Sequence, residues 1–352
     1  MRIPFGREVL IVVALAMSGM LQAQTGPWAV QVETPSDTIE LGIPFEVRVT
    51  LENRSGGNIV MPTPLGLCGY CGLHIGVPSS DPGEECLGGL PCPAISPRPI
   101  SKTKKWYGPG QVVVLRDDEH PPRCVGQYTI TYSCEVPERV RQAERDFKTG
   151  ATITNTEVWV GSFESDTVVV TAMEPEGIDR EAYEVFGPGI VFDTRRHGEL
   201  LRRFPTSTYA AYVVWKRWGR VTAGVWKDAE DRDKFLTWLS VDPDDEYLRW
   251  NLPCTADGRI DATVTTRLAG RVALECRDRW LDLVVNSHPD IWFADEMRLK
   301  LALDRYLLGD PAACAAGLEA LAENGRADVA AKARDLLSAM RAKGMLPGEG
   351  TE

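Results

Sequence analysis

Phe45-Glu46-Val47-Arg48-Val49-Thr50-Leu51-Glu52 alternates apolar and polar residues without a break. A strand turns successive side chains to opposite faces, so Phe45, Val47, Val49 and Leu51 share one face. Glu46, Arg48, Thr50 and Glu52 share the other, and the segment reads as a half-buried strand with its charged face toward water. Similar short runs lie at Trp28–Val32, Leu73–Val77, Val112–Leu115, Tyr128–Cys134, Thr154–Val160 and Thr167–Thr171, separated by Asn, Gly, Pro and Asp. About seven strands with turn residues between them predict a two-sheet sandwich over residues 24–172.

Outward from that strand, residues 62–109 form a Pro/Gly-rich stretch with little alternation and four cysteines, Cys68, Cys71, Cys86 and Cys92. With Cys124 and Cys134 they make an even set of six. In an oxidising compartment this reads as up to three disulfides, and sequence alone separates none of the 15 possible connectivities. Staples of this kind lower the entropy of the unfolded chain and make so long a loop tolerable, whether it is a binding surface or a structural insertion. Two sharper readings apply to the same loop. Cys68-Gly69-Tyr70-Cys71 has the C-x-x-C form of a thiol-disulfide oxidoreductase, but it leads into a strand rather than the helix that would lower a thiol pKa. Cys68, Cys71 and His74 with Cys86 or Cys92 offer zinc-type ligands, although at irregular spacing.

At Pro175-Glu176-Gly177 the period changes, and residues 173–178 read as a linker to a helical domain over 179–344, with 345–352 as a flexible tail. Ala269, Ala273, Cys276, Trp280 and Val284 form one helical stripe. Phe293, Met297 and Leu301 form a second, and Val329, Ala333, Leu336 or Leu337, and Met340 a third. Seven of the ten tryptophans lie between Trp215 and Trp292, spaced as packing residues. Cys254 and Cys276 are candidates for a bridge, although Cys276 also fits its stripe as a core residue. Cys314, spaced with Leu318 and Leu321, reads as a buried free thiol.

Phe204-Pro205-Thr206-Ser207-Thr208-Tyr209-Ala210 parallels His288-Pro289-Asp290-Ile291-Trp292-Phe293-Ala294, with Pro, an aromatic four residues on, then Ala. Each reads as a helix entry, with Ser207 or Asp290 as the cap and Tyr209 and Phe293 in equivalent buried positions.

Two resemblances follow. Gly126-Gln127-Tyr128-Thr129-Ile130 is similar to the tyrosine corner of immunoglobulin-like sandwiches, with Ile130 where antibody domains carry a core cysteine. Residues 288–340, through Leu303, Tyr306, Leu307 and Gly309-Asp310 to a second helix at about Pro311–Ala322 and a third from Ala330, resemble degenerate tetratricopeptide repeats. The layout therefore resembles exported bacterial proteins that join an immunoglobulin-like β-sandwich to tetratricopeptide-like helices. That implies a fold that is all-β and then all-α, and protein–protein interaction as the function.

The remaining features bound the function. Arg2 and Arg7 precede the apolar run Val9–Met17, and Ala23 follows, so residues 1–23 read as a signal peptide. The expected location is periplasmic or secreted, and with no Cys after Ala23 a lipoprotein-type anchor lacks its attachment site. The net charge of −11 disfavours nucleic acid and anionic membranes as bulk electrostatic partners. Arg195, Arg196, Arg202 and Arg203 around His197 read as a solvated basic face. His120 after Asp117, Asp118 and Glu119 reads as a turn, and Asp242, Asp244, Asp245 and Glu246 as an acidic helix start. No G-x-S-x-G, H-E-x-x-H, P-loop or EF-hand pattern occurs. The expectation is an exported, non-enzymatic interaction or scaffold protein without cofactor or metal, whose partner is another envelope or extracellular protein. The alternative is a hydrolase or thiol-disulfide oxidoreductase working through the cysteine-rich loop.

Overall fold

The computed structural model describes residues 26–62, 71–78, 86, 104–117, 121–141, 144–145, 152–153, 156–219, 232, 234, 236, 249–257, 259–260 and 266–347. Strands dominate the first half and helices the second.

Strands β1 (Trp28–Glu33), β3 (Val47–Asn53) and β7 (Val112–Asp117) form one antiparallel sheet in the order β1-β3-β7. The second sheet is built on the long β8 (Gly126–Val136). On one side β8 pairs β5 (Cys71–Gly76), and on the other β11 (Gly161–Glu164) and β12 (Val168–Met173). The short β2 (Thr38–Glu40) adds to β12 in parallel. Val30, Val47, Val49 and Leu51 of the first sheet and Tyr128, Ile130, Tyr132 and Val170 of the second meet in one apolar core. Each large side chain buried there contributes about 1.5–3 kcal/mol of transfer free energy. The Tyr128 hydroxyl donates toward the carbonyls of Cys124 (2.9 Å) and Cys86 (2.7 Å) and accepts from the Cys124 N–H (3.2 Å). Minor pairs are β4 (Ile59–Met61) with β6 (Lys105–Tyr107), and β9 (Glu144–Arg145) with β10 (Thr152–Ile153).

The alternation at residues 45–52 is present but does not end in water. Leu41 through Val47 are buried without interruption, and Glu46 is only 2% exposed, because the helical half lies over this end of the sheet. A second difference concerns 154–160. Residues 156–160 form a turn with a single bridge, Val60 to Val158, and the strand runs over Gly161–Glu164 instead. Gly161, at φ 148°, supplies the conformation that lets the chain turn back onto β8.

The helices whose bounds lie among the described residues are α1 (Gly177–Phe186), α2 (His197–Arg203), α3 (Thr208–Val214, extended by a π turn over Trp215–Gly219), α4 (Gly270–Ser287), α5 (Ala294–Leu307), α6 (Pro311–Asn324) and α7 (Ala327–Ala342). The last four pack successively, each against the next. The apolar stripes fall where the periodicity puts them: Ala273, Cys276, Trp280, Phe293, Met297, Ala333, Leu336 and Met340 are fully buried. Between α5 and α6, a Cβ on Gly317 would sit 3.0 Å from that of Ala302, so the small residue is what lets these two helices close. Asp310 caps α6 by accepting from the Ala313 N–H at 2.8 Å, with Pro311 at the first helical position.

The expectation of an all-α second half needs correction. Strands β13 (Arg249–Leu252) and β14 (Thr266–Ala269) pair antiparallel just before α4, so Ala269 belongs to a strand and not to the helical stripe. The linker is also shorter than 173–178, since Met173 ends β12 and α1 begins at Gly177. Helix α1 does not lead away from the sheets: Tyr183 packs against both the β core and the helical core. No described helix is long and apolar enough to cross a membrane.

Candidate functional site

The seam between the sheets and the helices holds the densest chemistry. On one side of it Glu40, the last residue of β2, alternates with the buried Ile39 and so turns toward α1. After it the chain turns through Gly42 at φ 78°, where a Cβ would lie 3.2 Å from the Tyr183 ring and 3.3 Å from the Tyr209 ring. The Tyr209 hydroxyl donates to the Leu41 carbonyl at 2.6 Å, tying α3 to the turn. Asp179 of α1, 8% exposed, accepts from the Thr208 N–H at 2.6 Å and its hydroxyl at 2.7 Å, and so caps α3 from outside. Ser207 caps the same helix, accepting from the Ala210 N–H at 3.1 Å. Its counterpart Asp290 does not cap, because α5 begins after Phe293 with no side-chain cap.

These elements border a cleft of about 480 Å³. Ser36, Thr38 and Glu40 line it from the β side, and Thr208, His288 and Asp290 from the helical side; Ile39, Ile43, Met173, Ile291 and Trp292 supply apolar wall. His288 Nε2 lies 2.8 Å from the Thr206 carbonyl, which can only accept, so the ring carries its proton on Nε2. Burial, then the adjoining Asp179 carboxylate and Glu176, push the Glu40 carboxyl up to about 7. The volume falls in the range of small-ligand sites.

The other side of the seam is an ion network. Glu46 meets Arg48 at 3.0 Å and Arg326 at 3.2 Å, and Glu296 meets Arg116 at 2.9 Å and Arg326 at 3.2 Å. Asp328 contacts Arg326 at 2.8 Å, Arg48 at 3.2 Å and also Arg116. The Trp215 indole N–H donates to Glu296 at 3.1 Å. Burial works against ionisation of Asp328, but Arg326, Arg48 and Arg116 outweigh it and hold the carboxyl at about 2. Three guanidinium groups and three carboxylates from both halves thus compensate one another.

The residues singled out in the sequence fall elsewhere. Cys71 is bonded to Cys134 directly across β5 and β8, Cys86 to Cys124, and Cys254 to Cys276. The bond to Cys134 leaves the Cys68/Cys71 pair without its second thiol, and the zinc-type set without the Cys71 and Cys86 thiolates. Cys68, Cys92, His120, the Asp242–Glu246 cluster and residues 1–23 lie outside the described residues. His74 hydrogen-bonds the Ser133 hydroxyl at 2.8 Å. His197 is buried against the Val191 carbonyl at 3.2 Å, and burial lowers its pKa, with Arg217 adding to that. The basic stretch around it is not a uniform solvated face: Arg196 stacks 4.4 Å above the Phe186 ring, while Arg195 stays in solvent. Cys314 is buried, and desolvation raises its thiol to about 12. No group of three or more His, Cys, Asp or Glu among the described residues is placed to hold a metal ion.

Sequence reasoning missed Glu40, Asp179, Glu46, Glu296, Arg326 and Asp328. Glu46 and Arg48 carried a signal in principle, two opposite charges on the polar face of an otherwise apolar strand. Nothing local marked Arg326 or Glu296 as their partners. No protein-family profile matches the chain, and no curated protein is significantly similar to it.

Proposed function

We propose that this is an exported, non-enzymatic binding or scaffold protein in which an immunoglobulin-like sandwich and tetratricopeptide-like helices act as one rigid body. The observation that carries the reading is the cleft at the seam, walled by both halves and flanked by the six-charge network that fixes their geometry. Rigid walls from two domains present recognition groups at low ordering cost. The three disulfides among the described residues fit an oxidising compartment, in line with export.

The test places a photo-crosslinking amino acid at Ile291, on the cleft wall, in the exported protein. A discrete protein adduct, with the partner recovered chemically unaltered and the adduct lost when Ser36 and Thr38 are replaced by bulky residues, is the expected outcome. No adduct at Ile291, or a partner recovered cleaved or otherwise modified in proportion to time, overturns it.

A further inference from the structure

Among the described residues four carboxylates are buried: Glu46, Asp179, Glu296 and Asp304. Three of them follow one rule. Glu46 and Glu296 are paired with arginines as above, and Asp304 lies 2.6 Å from Arg277 and 3.1 Å from Lys300. Asp179 breaks the rule: it is satisfied by the start of α3 and by a hydrogen bond with Glu40, with no lysine or arginine in ion-pair reach among the described residues. Glu40 adjoins it, so two carboxyls share one place with no cation among the described residues to separate them. Glu40 Oε2 is buried without a hydrogen-bond partner, and so is Trp292 Nε1. Both residues line the cleft, and none of its described lining residues is a lysine or arginine.

A carboxyl pair without a counter-cation in reach, one member of it part-buried on the wall of a cavity, leaves a place that a cation from outside can take from the proton. Met173, 48% exposed, and Ile291 provide an apolar track of the kind along which a long cationic side chain lays its methylenes. We propose that the cleft receives a lysine or arginine side chain of a polypeptide segment, with the cationic head beside Glu40 and the stem along Met173 and Ile291. The Glu40 carboxyl turns to meet the head, since its buried oxygen is out of reach of water in its present rotamer. The net charge of −11 favours the approach of a basic segment. This inference rests on the binding-protein reading and names the chemistry of its partner.

The probe is the blocked tripeptide acetyl-Leu-Lys-Leu-amide, compared with the same peptide carrying norleucine or glutamate at the centre. Binding is followed through the Trp292 indole N–H resonance. The lysine peptide is expected to shift that resonance saturably, the glutamate peptide to leave it unmoved, and norleucine to bind at least about fivefold more weakly, the ratio of a charge contact near 1 kcal/mol. Glu40→Gln, nearly isosteric with the neutral acid, is expected to remove the preference for lysine over norleucine. Met173→Ala, which removes apolar wall beside Glu40 without changing the charge, is expected to weaken both peptides alike. Equal binding of the lysine and norleucine peptides, or an unchanged lysine preference in Glu40→Gln, overturns the proposal. If the Ile291 adduct forms equally well in Glu40→Gln while the lysine peptide fails to bind, the inference falls and the binding-protein reading stands. Absence of that adduct with lysine-specific peptide binding intact removes the protein-partner reading alone.

Discussion

The two sides of the domain seam treat carboxyl groups in opposite ways. At one, Glu46, Glu296 and Asp328 interlock with Arg48, Arg116 and Arg326, and Asp328 is held in its ionised form despite burial. At the other, Glu40 and Asp179 meet with no cation among the described residues in ion-pair reach, and Glu40 is driven toward its neutral form. The chemistry of the side chain is the same in both. The difference lies in whether a guanidinium was placed within 4 Å, which makes one side a fastening and the other a vacancy for charge.

The comparison breaks most forcefully at Arg326, which touches all three carboxylates of the network. Arg326→Met should leave Glu46, Glu296 and Asp328 facing only Arg48 and Arg116, with one negative charge of the seam uncompensated, and cost about 3–5 kcal/mol, as removal of one partner of a buried ion pair does. Urea unfolding followed by tryptophan fluorescence measures this. A loss below 1 kcal/mol would mean the network is solvated and only decorates the interface.

A control of intermediate size lies away from the seam. Replacing Cys71 and Cys134 together by Ala should cost about 2–4 kcal/mol, because the bridge ties β5 to β8 and shortens the unfolded chain. The Ile291 adduct should form unchanged in folded protein, since the bridge touches neither side of the seam. Loss of the adduct with the fold intact would show that the sandwich reaches the cleft through this bridge.

Titration sharpens the contrast because the two sides carry opposite signs. Glu40 rises from its ordinary 4.5 to about 7, so the stability tied to its neutral form is complete below 4.5 and is lost as pH climbs through 7. Asp328 falls from 3.8 to about 2, so its contribution is complete above 3.8 and is lost as pH drops through 2. Glu40→Gln should therefore flatten the decline between pH 4.5 and 7, with an effect on the order of 1 kcal/mol after solvent screening of a half-buried group. Thermal melts of both proteins across that range give the measurement. Parallel pH profiles would show that Glu40 ionises freely.

The smallest expected effect separates two helix entries that look alike. Tyr209→Phe removes the bond to Leu41 and should cost about 1 kcal/mol. Phe293, wedged between Trp215 and Trp292 at ring distances of 5.0 Å, has no hydroxyl to lose. A Tyr209→Phe midpoint equal to wild type would show that ring packing alone docks α3 on the sheet.

What the sequence made legible follows from what is local. Period two located β3 and β8, and period near 3.6 located the buried faces of α4, α5 and α7, because each pattern is written within one element. Period two also put Glu46 and Arg48 on a common face. It said nothing of what covers that face, since Arg326 lies 280 positions away from Glu46. The β13–β14 hairpin escaped because Thr266-Arg267-Leu268-Ala269 is too short to distinguish a strand from the first turn of the helix that follows. The pairing of Cys71 with Cys134 depends on the register of β5 against β8, which six cysteines in a row of turns do not encode. Glu40 and Asp179 look unremarkable as a strand end and a helix start, and only their meeting gives them meaning.

The buried thiol of Cys314 gives the helical end its own clock. Desolvation holds it protonated far above neutral pH, and α6 keeps it out of solvent, so an alkylating reagent reaches it only when that helix lifts. Its labelling rate therefore counts openings of the α6–α7 end. A disturbance of the seam that travels through the helices would quicken that clock, and one confined to the seam would leave it running at the same pace.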